Sequence, residues 1–326
     1  MVIGNVLEIM RRRLYHICYT SHQEVFCRSY KDYCMMFNCI AQAVFKTQSN
    51  LLAYSIMSTH THIICECFSP SDLVKRIRSS YAQMFNHRYC RRGSLGDESF
   101  FCDRLEGRCH VTTAISYVVR NPLHHEVCAN PYAYPFSSVG QYFKSKLDRF
   151  SLSGEDAVGK VRSRSAIIRK QNILPGDVGV YSDSGMIKMD DVVDNVMVEG
   201  YFGSYRSFMY GLSRIDYEKW TEEQSEDNVT VTPVTIRTIE PFLSDDEVAS
   251  ILKQNHHWLK EKRITDIELC SIIDKTYVPR FGKSGYAQLM PKDVSVIRKQ
   301  LLQAFQFRIS SKQLDRCLCV LDEEGK

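Results

Sequence analysis

Apolar positions in the first part of the chain follow two periods, which predict strands alternating with helices. Short apolar or alternating runs are typical of strands, and apolar residues at i, i+3 and i+4 are typical of helices. On this basis strands are predicted at residues 14–20, 50–59, 60–68 and 99–105, and helices at 29–47, 72–89 and 112–120. Pro122 disfavours helical geometry at Asn121, so the last helix is predicted to end there.

These elements follow the order β-α-β-β-α-β-α, which fits a ferredoxin-like sheet. We therefore predict an α+β fold: a ferredoxin-like antiparallel sheet with helices on one face, followed by a mostly helical C-terminal region. The segment Ser69-Pro70-Ser71-Asp72 offers N-cap chemistry for the second helix.

The rest of the chain predicts a linker and a small helical domain. Residues 146–191 are polar with several Gly and Ser, residues 190–214 have a helical pattern, and residues 218–233 read as an exposed acidic loop. Further helices are predicted at 245–256, 265–276, 291–307 and 310–320. The predicted domains are therefore 1–148, 149–240, which has no assigned role, and 241–326.

The last two helices have the spacing of a helix-turn-helix, with Ser310 or Ser311 as the N-cap of the second. Lys312, Gln313 and Arg316 would then lie at the exposed start of a recognition helix. Helix pairs of this shape are common in α domains, so plain packing is the alternative interpretation.

Composition describes an ordinary globular chain, because 44% of its 326 residues are hydrophobic and 25% are charged. No apolar run approaches the ~20 residues of a membrane span, and the N-terminus does not have the pattern of a signal peptide. The 13 cysteines are scattered and form no C-x-x-C pair. A disulfide framework belongs to small secreted chains, so we predict reduced thiols. We therefore predict a cytoplasmic protein with no membrane contact.

Basic residues are concentrated in the first part of the chain. Residues 1–150 contain 18 Lys and Arg against 11 Asp and Glu, whereas the remainder is net acidic. This excess is typical of a domain that contacts phosphate backbones. The most basic stretch supplies the candidate nucleic-acid-binding residues Lys75, Arg76, Arg78, Arg88, Arg91 and Arg92.

Tyr81, Phe85 and Tyr89 recur every four residues beside those basic side chains. Interleaved aromatic and basic side chains suit single-stranded DNA, where bases stack and phosphates are neutralised. The alternative is that the aromatic rings pack on the sheet while the charges face solvent.

His60 and His62 lie two residues apart in a predicted strand. Because side chains at i and i+2 point to the same face of a strand, both imidazoles can reach one metal ion. An H-x-H pair is more often incidental, so this pair needs support from elsewhere in the chain.

Tyr117 and Asn121 supply that support, since they lie four apart on one face of a predicted helix. Tyr117 is one of 18 tyrosines, and a tyrosine on an apolar helix face usually belongs to the core. Asn121 could equally cap the end of its helix.

Four segments in order resemble the single-tyrosine HUH transposases, and most closely the REP-associated tyrosine transposase branch. They are MSTHTHII at 57–64, RRGSL at 91–95, SYVVRNPL at 116–123 and YPFSSVGQY at 134–142, within a match of roughly residues 12–145. Two positions depart from the family pattern: Ser58-Thr59 replaces Pro-Asn, and Phe136 replaces Trp.

The resemblance implies a DNA transposase or nickase in which Tyr117 is the nucleophile and His60, His62 and Asn121 are metal ligands. Mg²⁺ or Mn²⁺ is the implied cofactor, although imidazoles also accept Zn²⁺. The implied substrate is single-stranded DNA with hairpin or palindromic elements, and the implied product is a 5′-phosphotyrosine with a free 3′-OH. Arg120, inside the tyrosine motif, joins the predicted DNA contacts, and a homodimer is one assembly found among relatives.

Two other functions stay open on sequence alone. A non-catalytic DNA-binding regulator derived from a transposase would keep the sheet and the C-terminal helices. A zinc-dependent hydrolase would use His60, His62 and a carboxylate or cysteine, and would keep its activity after Tyr117→Phe.

Overall fold

A four-stranded antiparallel sheet forms the centre of the N-terminal region. The computed structural model describes residues 11–125, 127–147, 174–176, 178–181, 183–213, 244, 264–305 and 308–320. The strands are β1 (Arg13–Thr20), β2 (Asn50–Ile56), β3 (His60–Cys67) and β4 (Phe101–Arg104). They lie in the order β2-β3-β1-β4, and all neighbours are antiparallel. The predicted α+β fold with an antiparallel sheet is confirmed.

Three helices accompany the sheet: α1 (Tyr30–Lys46), α2 (Pro70–Tyr89) and α3 (Arg108–His124). Helix α2 begins where the sequence indicates, because the side chain of Ser69 accepts a hydrogen bond from the backbone N–H of Asp72 and proline occupies the first turn. The predicted order of strands and helices is therefore present through α3.

The helices lie on both faces of the sheet. On one face, the hydroxyl of Tyr19 on β1 donates to the Sδ atom of Met36 on α1 at 2.7 Å, and α2 packs beside α1. On the other face, α3 brings Tyr117 to His62. The crossover helices α1 and α2, each of which connects two strands, lie on one face of the sheet as predicted. The prediction was wrong for α3, which lies on the other face. Because Ile63 and His62 point to opposite faces and both are fully buried, each face of β3 needs a cover.

Helix α3 continues past the predicted end. Pro122 lies inside its last turn, and the backbone N–H of His125 still donates to the carbonyl oxygen of Asn121 at 3.1 Å. A proline removes one hydrogen bond of the helix, but Asn121 and Pro122 are both buried and the turn stays helical. Asn121 therefore lies one helical turn beyond Tyr117.

The free edge of β2 is covered by the segment that follows α3. The backbone N–H of Ile56 donates to the carbonyl of Phe136 at 3.0 Å. The hydroxyls of Tyr134 and Tyr142 donate to the carbonyls of Ile56 and Leu52, each at 2.6 Å. The YPFSSVGQY segment therefore protects the edge of β2, since unpaired strand edges are prone to associate with other chains.

The remaining described residues are mostly helical. The helices are α4 (Lys144–Leu147), α5 (Asn195–Phe202), α6 (Tyr205–Ser213), α7 (Asp266–Ile272), α8 (Pro291–Phe305) and α9 (Ser311–Leu318). Helix α7 runs on through a π-helical segment (Ile273–Tyr277) into one more turn (Val278–Arg280). The predicted helices at 265–276, 291–307 and 310–320 are present, and the helical pattern at 190–214 divides into two helices. The predicted helix at 245–256, the acidic loop at 218–233 and most of the linker lie outside the described residues.

Arg28 joins the C-terminal helices to the sheet domain. Its guanidinium makes two hydrogen bonds to the carboxylate of Asp274, at 3.1 and 2.8 Å, and one to the carbonyl of Cys317 at 2.6 Å. The same group lies 3.7 Å from the ring centroid of Tyr286. The described C-terminal residues therefore pack on the sheet domain, while the three predicted domain boundaries stay a prediction.

Two predictions from composition concern the state of the cysteines and the absence of a membrane span. All 13 cysteines are free thiols, and eight of them are buried. Among the described residues, no helix is both long enough and apolar enough to cross a bilayer.

Candidate active site

His60 and His62 lie side by side on the face of β3 that α3 covers. Their ring centroids are 5.1 Å apart and the ring planes are nearly perpendicular, at 81°. Both side chains are buried, with relative exposures of 5% and 0%. The shared face is the one that strand alternation predicted.

Helix α3 presents Tyr117 and Asn121 to the two histidines. The ring of Tyr117 packs edge-on at 5.7 Å from that of His62. The Nε2 atom of His60 and the Oδ1 atom of Asn121 are 2.9 Å apart. The four predicted catalytic and metal-binding residues are thus brought into one buried cluster.

Two further polar groups contact the imidazoles from the sheet side. The Oγ1 atom of Thr59 lies 3.2 Å from Nδ1 of His60, and Nε2 of His16 lies 3.3 Å from Nδ1 of His62. The sequence analysis did not predict His16 as a site residue, although alternation along β1 puts it on the same face as Cys18. Only the pairing of β1 with β3 brings that face beside His62.

His124 and His125 also belong to the cluster. The predicted end of the last helix at Asn121 would put both residues in a loop, but α3 extends to His124. The ring of His124 stacks on Tyr117 at a centroid distance of 5.5 Å, and that of His125 lies 4.7 Å from His60. Both are half-buried, so they form the rim of the cluster. Helical spacing could have indicated this placement, because His124 follows Tyr117 by seven residues and His125 follows Asn121 by four.

Arg120 lies on the same helix and is buried, with a relative exposure of 7%. Burial lowers the pKa of its guanidinium to about 10, because desolvation disfavours the charged form. Its predicted contact with DNA stays a prediction.

Most of the predicted basic surface is engaged in intramolecular contacts. Lys75 and Arg92 are exposed. The four other arginines of the stretch have partners within the chain: Arg76 with Asp72, Arg78 with the carbonyl of Glu98, Arg88 with Asp32, and Arg91 with Glu24. Lys75 and Arg92 are therefore the exposed side chains of this stretch, and contact of all six residues with DNA stays a prediction.

The aromatic residues of α2 pack inside the protein. Tyr81, Phe85 and Tyr89 are all buried, and their rings contact one another in sequence at 5.9 and 4.7 Å. The interpretation that they form core is confirmed, and these rings are not available to stack on bases.

The predicted recognition helix faces partly inward. Ser310 is the N-cap of α9 and accepts from the backbone N–H of Gln313 at 3.0 Å. The side-chain amide of Gln313 donates to Oδ1 of Asp266 at 2.8 Å and to the carbonyl of Ile264 at 2.9 Å. Lys312 is exposed and Arg316 is half-buried. Contact of these three residues with DNA stays a prediction.

The metal ligands predicted from the sequence are two imidazoles and one amide oxygen of this cluster. Among the residues that the structure describes, no group of three His, Cys, Asp or Glu side chains is arranged to hold a metal ion. The predicted set has only two such side chains, and its third donor is the amide oxygen of Asn121, which already lies against Nε2 of His60. Two imidazoles and one neutral oxygen fit ions that accept mixed nitrogen and oxygen ligands, and they leave positions open for a substrate.

Comparisons with known proteins give likeness in structure but no match in sequence. No protein-family model matches the chain, and no curated protein does either. Among solved structures, the chain is similar to a REP-associated tyrosine transposase bound to a REP hairpin. The identity is 13% and the TM-score is 0.38, over 45% of this chain and 88% of that one.

Proposed function

We propose that the protein is a metal-dependent DNA transposase or nickase that cleaves and rejoins single-stranded DNA through Tyr117. The observation that supports this most is the convergence of His60, His62, Tyr117 and Asn121 in one buried cluster. These residues come from a strand and a helix more than 50 positions apart, yet they match in kind and order the motifs that resemble HUH transposases.

The proposed reaction is a transesterification at a DNA phosphodiester. The phenol oxygen of Tyr117 attacks phosphorus, and the bond from phosphorus to the 3′ oxygen breaks. The phenol loses its proton and the leaving oxygen gains one, which leaves a 5′-phosphotyrosine and a free 3′-OH. A tyrosine phenol has a pKa of about 10 in model peptides, so it is a better nucleophile and leaving group than an aliphatic alcohol. The phosphotyrosine retains the energy of the broken bond, and a 3′-OH can reverse the step without ATP.

His60, His62 and Asn121 would hold the divalent ion. When bound, the ion polarises a non-bridging phosphate oxygen and stabilises the charge that develops on it. The protein's own contribution is to orient both imidazoles, since Thr59 and His16 contact their Nδ1 atoms and the surrounding helix and sheet keep bulk water away.

The proposed substrate is single-stranded DNA with a hairpin near the cleavage site, as the sequence resemblance implies. Lys75 and Arg92 are exposed and can contact phosphates. Tyr117 is only 3% exposed, so DNA must displace a side chain to reach it. His124, which stacks on Tyr117 from the half-buried rim, is the side chain expected to move.

The test is formation of a covalent complex. Purified protein is incubated with Mn²⁺ or Mg²⁺ and end-labelled hairpin-bearing single strands taken from the flanks of its own gene, then run on a denaturing gel. We expect a DNA–protein band that requires the metal and that disappears in Tyr117→Phe and His60→Ala. Tyr210→Phe is the matched control, because Tyr210 is 61% exposed and outside the cluster.

Two outcomes would contradict the proposal. Retarded but uncleaved DNA on a native gel would indicate a DNA-binding regulator. Cleavage that survives Tyr117→Phe would indicate a hydrolase that uses an activated water in place of the phenol.

A further inference from the structure

We propose that the C-terminal helices hold the turn that carries His60, and that Asp266 is the positioning residue through which they do so. The turn comprises residues 57–60, where β2 ends and β3 begins. Because His60 is a metal ligand only in the proposed function, this inference rests on that function. It gives the C-terminal helices a part in the site, although they lie outside the predicted catalytic domain.

The sheet domain fixes the backbone of this turn. The backbone N–H of Met57 donates to the carbonyl of His60 at 2.8 Å, which closes the turn. The carbonyl of Ser58 accepts from the backbone N–H groups of Phe26 and Cys27, at 2.9 and 3.0 Å. The segment that precedes α1 is therefore bonded directly to the turn.

The side chain of Ser58 points to the C-terminal helices. Its hydroxyl donates to Oδ2 of Asp266 at 2.6 Å, across 208 positions of the chain. Asp266 lies in the first turn of α7, and both residues are half-buried. A hydrogen bond to a carboxylate is stronger than one between neutral groups, so this contact can restrain the turn.

Asp266 is itself held from its other side. The side-chain amide of Gln313 on α9 donates to Oδ1 of Asp266 at 2.8 Å. One carboxylate oxygen therefore faces Ser58 and the other faces α9. Rotation of the carboxylate away from Ser58 would also disturb the hydrogen bond to Gln313, so the acceptor is fixed in place.

Arg28 fixes α7 and α9 against the same segment that binds the turn. Its guanidinium donates to Asp274, just beyond α7, and to the carbonyl of Cys317 on α9. It follows directly on Phe26 and Cys27, whose N–H groups bind the turn. Residues 26–28 thus join the turn to the C-terminal helices through the backbone, and Ser58 joins them through its side chain.

Thr59 passes the position of the turn to the imidazole. It lies between Ser58 and His60 in the chain, and its Oγ1 atom is 3.2 Å from Nδ1 of His60. A shift of Ser58 therefore moves a group that contacts the ring. Functional side chains must be held within about 0.5 Å of their working geometry, so loss of the bond to Asp266 should be felt at His60.

The experiment first measures the surroundings of His60 in the full-length, metal-free protein, by NMR of the histidine ring C–H groups. Asp266→Ala and Ser58→Ala should each shift the signals of His60, while those of His110 serve as the internal reference. Asp266→Asn is the conservative variant. Its amide can donate to Ser58 and accept from Gln313, so its His60 signals should stay at the wild-type positions.

Mn²⁺ binding, measured by isothermal titration calorimetry, gives a second readout that does not depend on cleavage. Asp266→Ala and Ser58→Ala should each weaken binding by about tenfold, the low end of the effect of contacts that support a metal ligand. The double variant should lose no more than the larger single loss, because both changes remove the same hydrogen bond.

Arg298→Ala is the matched control within the C-terminal helices. Arg298 on α8 donates to the carboxylate of Asp315 on α9 at 2.8 Å, so its loss loosens the packing of these helices by a different contact. Its His60 signals and Mn²⁺ affinity should match those of the wild type. All variants are compared below their melting temperatures, and Ser58→Ala tests the same hydrogen bond if Asp266→Ala does not fold.

Unchanged His60 signals in Ser58→Ala would overturn the inference. So would shifts in Asp266→Asn as large as those in Asp266→Ala, because charge alone would then explain them. Equal effects in Arg298→Ala would show general loosening in place of positioning. Shifts of His60 as expected, in a protein that binds no Mn²⁺ and forms no DNA adduct, would contradict the proposed function alone.

Discussion

The Nε2 atom of His60 and the Oδ1 atom of Asn121 lie 2.9 Å apart, although 61 positions separate the two residues. The contact joins β3 to α3, and both side chains are buried. It exists because α3 packs on the histidine face of the sheet and stays helical through Pro122. In the proposed site the metal would take both atoms as ligands in place of this hydrogen bond.

Asn121 should therefore be required for metal-dependent cleavage. Asn121→Ala removes the oxygen donor, and we expect adduct formation at limiting Mn²⁺ to fall by at least about tenfold. Asn121→Asp keeps an oxygen at the same position and should retain activity. The measurement is adduct yield across a Mn²⁺ titration. A curve for Asn121→Ala that matches the wild type would assign Asn121 to helix packing only.

Substitution of Arg92 should affect DNA binding, whereas substitution of its neighbour Arg91 should affect stability. Arg92 is exposed, so Arg92→Ala should change the free energy of unfolding by less than ~0.5 kcal/mol. If Arg92 contacts a phosphate, the same change should reduce the slope of log affinity for single-stranded DNA against log salt by about 0.7.

Arg91 provides the matched control. Its guanidinium is 2.9 Å from the carboxylate of Glu24, whose side chain is only 6% exposed. Arg91→Ala would leave that carboxylate buried without its cation, and should destabilise the fold by about 3 kcal/mol. Urea unfolding and fluorescence anisotropy across a salt series measure the two effects. Equal behaviour of the two variants would contradict this division of roles.

Arg28 should be among the costliest single substitutions. Arg28→Met removes a fully buried cation that makes three hydrogen bonds to Asp274 and Cys317. The expected loss of unfolding free energy is about 3–5 kcal/mol, because one partner of a buried ion pair is left behind. A double-mutant cycle with Asp274→Asn should give a coupling energy of about 0.5–3 kcal/mol. Additive effects in urea unfolding would mean that the pair does not hold the C-terminal helices.

Stability should fall at alkaline pH because of buried thiols. Burial raises the pKa of Cys39 to about 12 and that of Cys34 to about 11. Above pH ~9 the unfolded chain loses thiol protons that the folded protein keeps, so stability falls as pH rises towards those values. Each such thiol contributes up to ~1.4 kcal/mol per pH unit.

Cys39→Ala tests this dependence. The variant loses packing at every pH, but its unfolding free energy should fall less steeply between pH 9 and 10 than that of the wild type. Urea unfolding at half-unit pH steps measures the slope. Identical slopes would show that Cys39 titrates alike in both states.

Local features of the site could be read from the sequence. The face shared by His60 and His62 follows from strand alternation, and the face shared by Tyr117 and Asn121 follows from helical spacing. The start of α2 could also be predicted from the sequence, because the cap at Ser69 and the proline after it act within one turn. In each case the interacting residues lie within a few positions of one another.

Sequence alone therefore determined the order of the strands and helices in the sheet domain, and it predicted the four residues of the proposed chemistry. Tertiary structure decided that α3 covers the face opposite the crossover helices, that His16 meets His62, and that Arg91 is committed to Glu24. These contacts depend on strand order and on packing between segments 46 and 67 positions apart. The periodicity of apolar residues along one strand does not specify which other strand pairs with it. Strand order is set by the burial of all the apolar faces of the fold together.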